Sequence, residues 1–273
     1  MKWLRNWRRK RALASTRIDD GLWQLVLSGL PFLRGLSTED LGRLQQLAIQ
    51  FLHEKEMHGA GDLELSDDIR LSIAVQACLP ILNLGLDAYA GWVGVIVYPG
   101  EFLAQRQEMD EDGVMHEYEE ELSGEAWEGG PVILSWSDVA MTSAGYNVVI
   151  HEFAHKLDME NGNADGYPVP RNGMDPAQWT RTWQSAYAEF CRQLDAGQRT
   201  LIDPYAAEHP AEFFAVASEM FFTHSAVLAR DWPALYEQLV RYYCQDPAGL
   251  LPETQTGELP PLQAPARSRH GGP

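Results

Sequence analysis

The chain has 273 residues, of which 45% are hydrophobic, and its formal net charge is −18. This length allows one large domain, or one domain with a smaller appendage, that buries a core without cross-links. The three cysteines form no CxxC pair, which favours a reducing compartment, and the acidic balance argues against a nucleic-acid partner because phosphate backbones would be repelled. We therefore expect a cytoplasmic protein.

The first eighteen residues carry seven of the 21 basic groups, which leaves 14 basic and 39 acidic residues, a net charge of −25, in the remaining chain. No apolar stretch follows these groups, so they lack the pattern of a secretory signal. We interpret residues 1–20 as a basic tail. It is either a solvated terminus or a contact for an anionic surface or partner.

Residues 21–100 are predicted to form a helical N-terminal part that packs on the rest of the chain. Apolar positions recur at helical spacing from Leu22 to Gln50, and Ser37 before Glu39 and Asp40 is typical of a helix start. These observations indicate that the chain begins its folded part with helices.

Towards the end of the part at 21–100, the sequence pattern changes from one typical of helices to one typical of a strand. Residues 71–86 have a helical pattern that is interrupted at Pro80, and residues 92–98 are β-branched and aromatic enough for a strand. Polar residues and prolines interrupt the apolar stretch from 69 to 99, so we read it as core and not as a membrane span.

Residues 101–250 are predicted to form a second part, and residues 251–273 a disordered tail rich in Pro, Gly, Gln and Thr. The acidic stretch 101–128 predicts a charged hairpin or edge strand, which is either a solvated edge or a surface that selects substrate. A buried strand is expected at 132–136. Three helices follow, at residues 146–159, 176–195 and 210–223.

The first of these helices carries the sequence HExxH, formed by His151, Glu152 and His155. Four-residue spacing puts both imidazoles on one helix face, where they can bind one zinc ion. Glu152 can take a proton from the water that zinc activates and return it to a leaving amine. Polar groups in an apolar helix are costly to bury unless a metal or hydrogen bonds compensate them. The motif therefore predicts a zinc-dependent peptidase, although the charge of Lys156 is unusual beside it.

A catalytic zinc has three protein ligands and one open position, so a third ligand must come from elsewhere. The metzincin continuation is excluded, because it needs Gly at 158 and His or Asp at 161, where this chain has Asp158 and Asn161. A glutamate on a later helix is the alternative. A helix that starts near Pro210 has Glu212 in its first turn and Glu219 on the same side, and both remain contenders.

Further polar residues near these positions have open roles. A carboxylate that orients a ligand imidazole can come from Asp158 or Glu219. His209 and His224 flank the later helix, and each is either an extra ligand or a cap or surface residue.

Three segments closely resemble the Mlc titration factor A family of zinc peptidases: HEFAHKLD at 151–158, GPVILSW at 130–136 and YAAEHPAEFFAVASEMFF at 205–222. The segment CLPILNLGLDAYAGWVGVIVYP at 78–99 is also similar to that family. The metal site of the family is similar to that of anthrax lethal factor, in which a tyrosine lies seven residues before the glutamate ligand. Tyr205 lies seven residues before Glu212, which favours Glu212 over Glu219.

The resemblance implies a set of roles for the site residues. The zinc ligands would be His151, His155 and Glu212, the general base Glu152, and the donor to the oxyanion Tyr205. It also implies aminopeptidase-like activity on peptides and binding to the glucose-responsive repressor Mlc.

We expect an α+β fold, mainly helical and zincin-like of the gluzincin type, with a small β-sheet that precedes the HExxH helix and the metal between two helices. Residues 101–250 would be the zinc-binding catalytic part. The alternative function is a non-catalytic binding protein that sequesters a transcriptional repressor and in which zinc is structural.

Overall fold

The computed structural model describes residues 2–109, 115–140 and 146–250, which form a mainly helical α+β structure. The helices are α1 Lys2–Ser15, α2 Asp20–Ser28, α3 Thr38–Glu54, α4 Asp67–Cys78, α5 Trp136–Ala140, α6 Val148–Asp158, α7 Pro176–Asp195, α8 Pro210–Thr223, α9 Ser225–Asp231 and α10 Pro233–Tyr243. The strands are β1 Glu56–Gly59, β2 Gly94–Tyr98, β3 Phe102–Met109, β4 Met115–Leu122, β5 Gly124–Ala126 and β6 Val132–Ser135. Within these ranges, no helix combines the length and apolar character that a membrane crossing requires.

A four-stranded sheet with the order β1-β2-β6-β5 lies ahead of α6 in the chain, as the sequence predicts. Strands β1, β2 and β6 are parallel, and β5 runs antiparallel to β6 at one edge. All four residues of β6 are buried, as expected for a strand covered on both faces. The sheet joins β1 and β2 to β6, so it spans the boundary that we predicted at residue 100.

The acidic stretch forms a separate two-stranded antiparallel sheet of β3 and β4, in which Phe102 lies opposite Leu122. The predicted charged hairpin is therefore present, and its turn at 110–114 lies outside the described residues. The tail predicted at 251–273 also lies outside them.

The residues that we interpreted as a basic tail contain helix α1, and for this segment the expectation of a solvated terminus is wrong. Arg9 makes ion pairs with Glu54, at 2.6 Å, and with Asp87, at 2.8 Å. Ala12 is buried. The ion pair of Arg9 with Glu54 and the burial of Ala12 hold α1 against the end of α3.

The helix boundaries follow the capping signals of the sequence. Helix α3 begins after Ser37, whose Oγ accepts the backbone N–H of Asp40 at 3.0 Å. Helix α4 ends at Cys78, two residues before Pro80. Helices α7 and α8 span the residues that the sequence predicted for them.

Helices α6 and α8 pack against each other within one continuous hydrophobic core. All eleven residues of α6 are buried, and α8 is buried along most of its length. Helix α7 supports α8 through ring contacts, such as the edge-on contact of Trp183 with Phe214 at 5.3 Å between ring centroids. This packing places the HExxH helix and the predicted glutamate helix side by side.

Candidate metal centre

Helix α6 presents its two histidines at the face that meets α8. Its N-terminus is capped by Asn147, whose side-chain oxygen accepts the backbone N–H of Ile150 at 2.9 Å. His151 and His155 lie one turn apart, with 4.9 Å between their ring centroids. Both side chains are buried, as the helical spacing predicts for residues on one inner face.

Glu212, in the first turn of α8, lies between the two imidazoles. Its Oε2 is 3.1 Å from Nε2 of His151, and its Oε1 is 3.5 Å from Nε2 of His155. One donor atom from each of the three residues lies within 4.8 Å of the others. The structure thus brings together the three side chains that the resemblance implied as ligands.

The donor distances fit a metal ion of the size and geometry of zinc. Tetrahedral zinc holds nitrogen and oxygen donors at about 2.0–2.2 Å, which places any two donors about 3.3 Å apart. The separations of 3.1 Å from His151 Nε2 to Glu212 Oε2 and of 3.5 Å from His155 Nε2 to Glu212 Oε1 lie on either side of that value. Two imidazole nitrogens and one carboxylate oxygen are also a donor set that zinc accepts in catalytic sites.

The electrostatics of the cluster follow from burial and mutual contact. Burial lowers the pKa of His151, but the carboxylates of Glu212 and Glu219 outweigh it and raise the pKa to about 10. Burial raises the pKa of Glu212, but hydrogen bonds with His151 and His155 outweigh it and hold this pKa well below its usual value. Without a metal, His151 and Glu212 therefore form an ion pair that a bound cation would replace.

Glu219, the other contender for a ligand, lies behind His151. Its Oε2 is 3.6 Å from Nδ1 of His151, the ring nitrogen that faces away from Glu212. Its Oε1 accepts the backbone N–H of Asn147 at 2.9 Å, and the Asn147 amide donates to Gln76 at 2.8 Å. This buried network places Glu219 where a carboxylate orients a ligand imidazole.

Glu152 is buried next to the histidines, on the side of α6 that faces strand β5. Burial raises its pKa, against the opposing effect of His151 and His155. Gly124 of β5 lies so close that a Cβ atom there would be 2.5 Å from Glu152 Oε1 and 2.7 Å from its Cγ. The absence of a side chain at position 124 therefore makes room for the Glu152 carboxylate.

Two tyrosines flank the ring of His151. The ring of Tyr205 lies 6.3 Å from that of His151, and the ring of Tyr146 lies 6.4 Å from it. Both side chains are half-buried. The sequence pointed to Tyr205 through the resemblance, but it gave no signal for Tyr146, which precedes the helix.

Lys156, the unusual charge beside the motif, is buried and makes structural contacts. Its ammonium group donates to the carbonyl oxygens of Trp127 and, at 2.9 Å, of Gly130, and it lies 4.9 Å from the ring centre of Trp92. Residues 127–130 form the turn between β5 and β6. Lys156 thus ties α6 to the turn that follows β5, the strand that faces Glu152.

The remaining candidates lie outside the cluster that the described residues form. His209 caps α8, since its Nδ1 accepts the backbone N–H of Ala211 at 3.2 Å. His224 lies at the other end of α8, where its Nδ1 is 2.9 Å from Thr223 Oγ1. Asp158 accepts a hydrogen bond from the backbone of Gly166, so among the two carboxylates only Glu219 faces a ligand imidazole.

Comparison with known proteins places this site in a family. The model of the glucose-regulated metallo-peptidase M90 family matches residues 4–244. The chain belongs to this family. The family description implies a metal ion, and the cluster of His151, His155 and Glu212 is a possible site for it.

Relatives of this M90 chain extend over most of its length. Mlc titration factor A of Salmonella arizonae is 37% identical over 244 residues, which cover 87% of this chain and 96% of the relative. Mlc titration factor A of Pectobacterium atrosepticum is 37% identical over 239 residues, or 85% and 89% of the two chains. An uncharacterized protein of Synechocystis is 38% identical over 232 residues, or 82% and 84%. The resemblance to the Mlc titration factor A family is therefore confirmed.

Proposed function

We propose that the protein is a zinc-dependent peptidase that hydrolyses peptide bonds, with His151, His155 and Glu212 as zinc ligands. The observation that carries this proposal is that the Glu212 carboxylate lies 3.1 Å from Nε2 of His151 and 3.5 Å from Nε2 of His155. The match to a metallo-peptidase family supports it. Zinc fits best because two imidazoles and one carboxylate leave a fourth position open for water and substrate.

Glu152 is proposed as the general base. A bound zinc ion would supply Lewis acidity, which makes water a nucleophile near neutral pH. Glu152 takes the proton of that attacking water and passes it to the amine that leaves. Burial raises the pKa of Glu152, which suits a carboxylate that must both accept and return a proton.

Tyr205 is proposed to donate a hydrogen bond to the carbonyl oxygen of the scissile bond as it gains negative charge. Its ring lies beside that of His151, with 6.3 Å between the two ring centroids. A preorganised donor of this kind stabilises the transition state more than the ground state.

Strand β5 is proposed to seat the substrate. It lies at the edge of the sheet and runs antiparallel to its neighbour, and Gly124 in this strand contacts Glu152. An extended peptide that pairs with the outer edge of β5 would lie beside the strand that contacts the base, Glu152. Backbone pairing of this kind is compatible with substrates of varied sequence, including the short peptides that an aminopeptidase-like enzyme would cleave.

The test separates chemistry from metal binding. The Glu152→Gln variant should bind zinc as the wild type does and lose peptide turnover, because the amide cannot act as a base. The His155→Ala variant should lose both. Zinc content by elemental analysis and cleavage of a peptide library measure the two properties, and an active Glu152→Gln protein would refute the base assignment.

A second function is favoured by the names of the relatives, which are Mlc titration factors. We propose that the chain can also bind the transcriptional repressor Mlc in the cytoplasm. If purified repressor is captured by the wild type and by Glu152→Gln alike, while the wild type cleaves no peptide, the protein is a non-catalytic binding protein with structural zinc. Metal-dependent cleavage by the wild type would make repressor binding an additional function.

A further inference from the structure

The loop between α6 and α7 touches the ends of both helices that carry the proposed zinc ligands. Helix α6 ends at Asp158, three residues after His155, and α8 begins at Pro210, two residues before Glu212. Gly166 of the loop contacts both of these ends.

Asp158 is fully buried, and its Oδ2 accepts the backbone N–H of Gly166 at 2.7 Å. Burial raises the pKa of Asp158 to about 7. An acidic side chain is also unfavourable at the C-terminal end of a helix, where the helix dipole is negative. Helix formation alone therefore does not favour aspartate here, whereas the hydrogen bond to Gly166 gives it a specific partner.

Gly166 in turn lies against the first turn of α8. Its φ of +82° is a left-handed conformation that residues with a side chain rarely adopt. A Cβ atom at this position would be 2.3 Å from the carbonyl oxygen of Pro210 and 2.8 Å from the backbone nitrogen of Ala211. Since these neighbours are backbone atoms, a side chain at position 166 would have to push the loop and α8 apart.

We propose that Asp158 and Gly166 are positioning residues for the metal: they form a clasp that fixes the distance between the end of α6 and the first turn of α8. Helices α6 and α8 also pack directly along their lengths. The clasp acts at the end of α8 that carries Glu212. The Oε1 atom of Glu212 is 3.5 Å from Nε2 of His155. Changes to groups that orient metal ligands typically weaken metal affinity by about 10- to 100-fold, so this contact would contribute to the zinc affinity of the site.

This proposal rests on the proposed metal centre, and its test compares two glycines of the same loop. Gly173 has a φ of +89°, close to that of Gly166, but a Cβ atom there would meet nothing within 4 Å. The variants Gly166→Ala and Gly173→Ala therefore share the backbone strain and differ in the contact with α8. Zinc dissociation constants are measured by competition with a chromophoric chelator, and the absorption spectrum of bound Co²⁺ reports the geometry of the donors.

We expect Gly166→Ala to raise the zinc dissociation constant by about tenfold or more and to change the Co²⁺ spectrum, the size of effect known for residues that orient metal ligands. Gly173→Ala should keep both properties of the wild type. Equal affinities and spectra for the two variants would overturn the clasp. A wild type that binds no zinc would instead overturn the metal centre itself, so the two failures can be told apart.

A second pair of variants decides the matter if Gly166→Ala does not fold. Asp158→Asn keeps an oxygen that can accept the Gly166 N–H, whereas Asp158→Ala removes it. We expect Asp158→Asn to retain zinc affinity within about threefold and Asp158→Ala to lose about tenfold or more. Similar affinities for these two variants, with both folded by circular dichroism, would contradict the proposal.

Discussion

The close approach of Gly124 to Glu152 gives a quantitative prediction for the variant Gly124→Ala. The new Cβ atom would lie 2.5 Å from Glu152 Oε1, and an ordinary contact begins at 3.4 Å, so the carboxylate has to move by about 0.9 Å. The Cβ atom would also lie 2.7 Å from Glu152 Cγ and from Val148 Cγ2, so rotation of the carboxylate alone does not relieve the clash.

A displacement of about 1 Å in a catalytic group can reduce the rate about 100-fold, which corresponds to roughly 2.7 kcal/mol of transition-state stabilisation. We therefore expect kcat/KM of Gly124→Ala for a fluorogenic peptide to fall by about two orders of magnitude. Zinc content should stay at the wild-type level, because the nearest neighbours of position 124 are Glu152 and Val148 and not the metal donors.

The matched control is Gly42→Ala in helix α3. A Cβ atom at position 42 would meet nothing within 4 Å, and alanine in a helix is favoured over glycine by roughly 0.5–1 kcal/mol. This variant should be as active as the wild type and slightly more stable. If Gly124→Ala is folded, binds zinc and has activity within twofold of Gly42→Ala, the proposed packing of Glu152 against β5 is wrong.

Three further predictions address other parts of the site. Because the pKa of His151 is about 10 in the metal-free protein, zinc must displace its proton, so the zinc dissociation constant should fall about tenfold per pH unit between pH 7 and 9. If the zinc dissociation constant stays the same between pH 7 and 9, His151 is either not protonated in the metal-free protein or not a zinc ligand. Tyr205→Phe should lower kcat by about 10²–10³ with unchanged zinc affinity, and unchanged kcat in steady-state assays would remove Tyr205 from the oxyanion role. Lys156→Met leaves two turn carbonyls without their donor and should lower the free energy of unfolding in urea by about 1–3 kcal/mol, whereas equal stability would show that other groups satisfy them.

The helices of the site could be predicted from local signals. The prolines at 176 and 210 predicted the starts of α7 and α8, and in the structure the side chains of the preceding residues, Asp175 and His209, accept backbone N–H groups. The HExxH spacing on a helix predicted that His151 and His155 share one face. These features depend on residues a few positions apart, so the sequence contains them directly.

The elements that the sequence did not reveal depend on distant contacts. Strand β1 has four residues with a single buried one, Met57, which is too short for an alternating pattern to stand out. The many basic residues of α1 made this segment look like a solvated tail in the sequence. The acidic partners of Arg9, Glu54 and Asp87, are about 45 and 78 positions further along the chain.

The same limit applies to the site. Without the family resemblance, Glu212 and Glu219 were equivalent candidates, because both lie on one side of the same helix. Only the packing of α8 on α6 distinguishes the carboxylate between the imidazoles from the one behind His151. Gly124 and Gly166 were ordinary turn or loop glycines in the sequence, and their close contacts follow from how strands and helices meet.

The most direct test of the metal centre is a crystal structure of the zinc-loaded protein with anomalous diffraction data collected at the zinc absorption edge. We expect one anomalous peak per chain between α6 and α8, at about 2.0–2.2 Å from Nε2 of His151, Nε2 of His155 and an oxygen of Glu212. The proposed metal centre would be contradicted if the zinc ion is bound elsewhere. It would also be contradicted if no anomalous peak lies between these three side chains at saturating zinc.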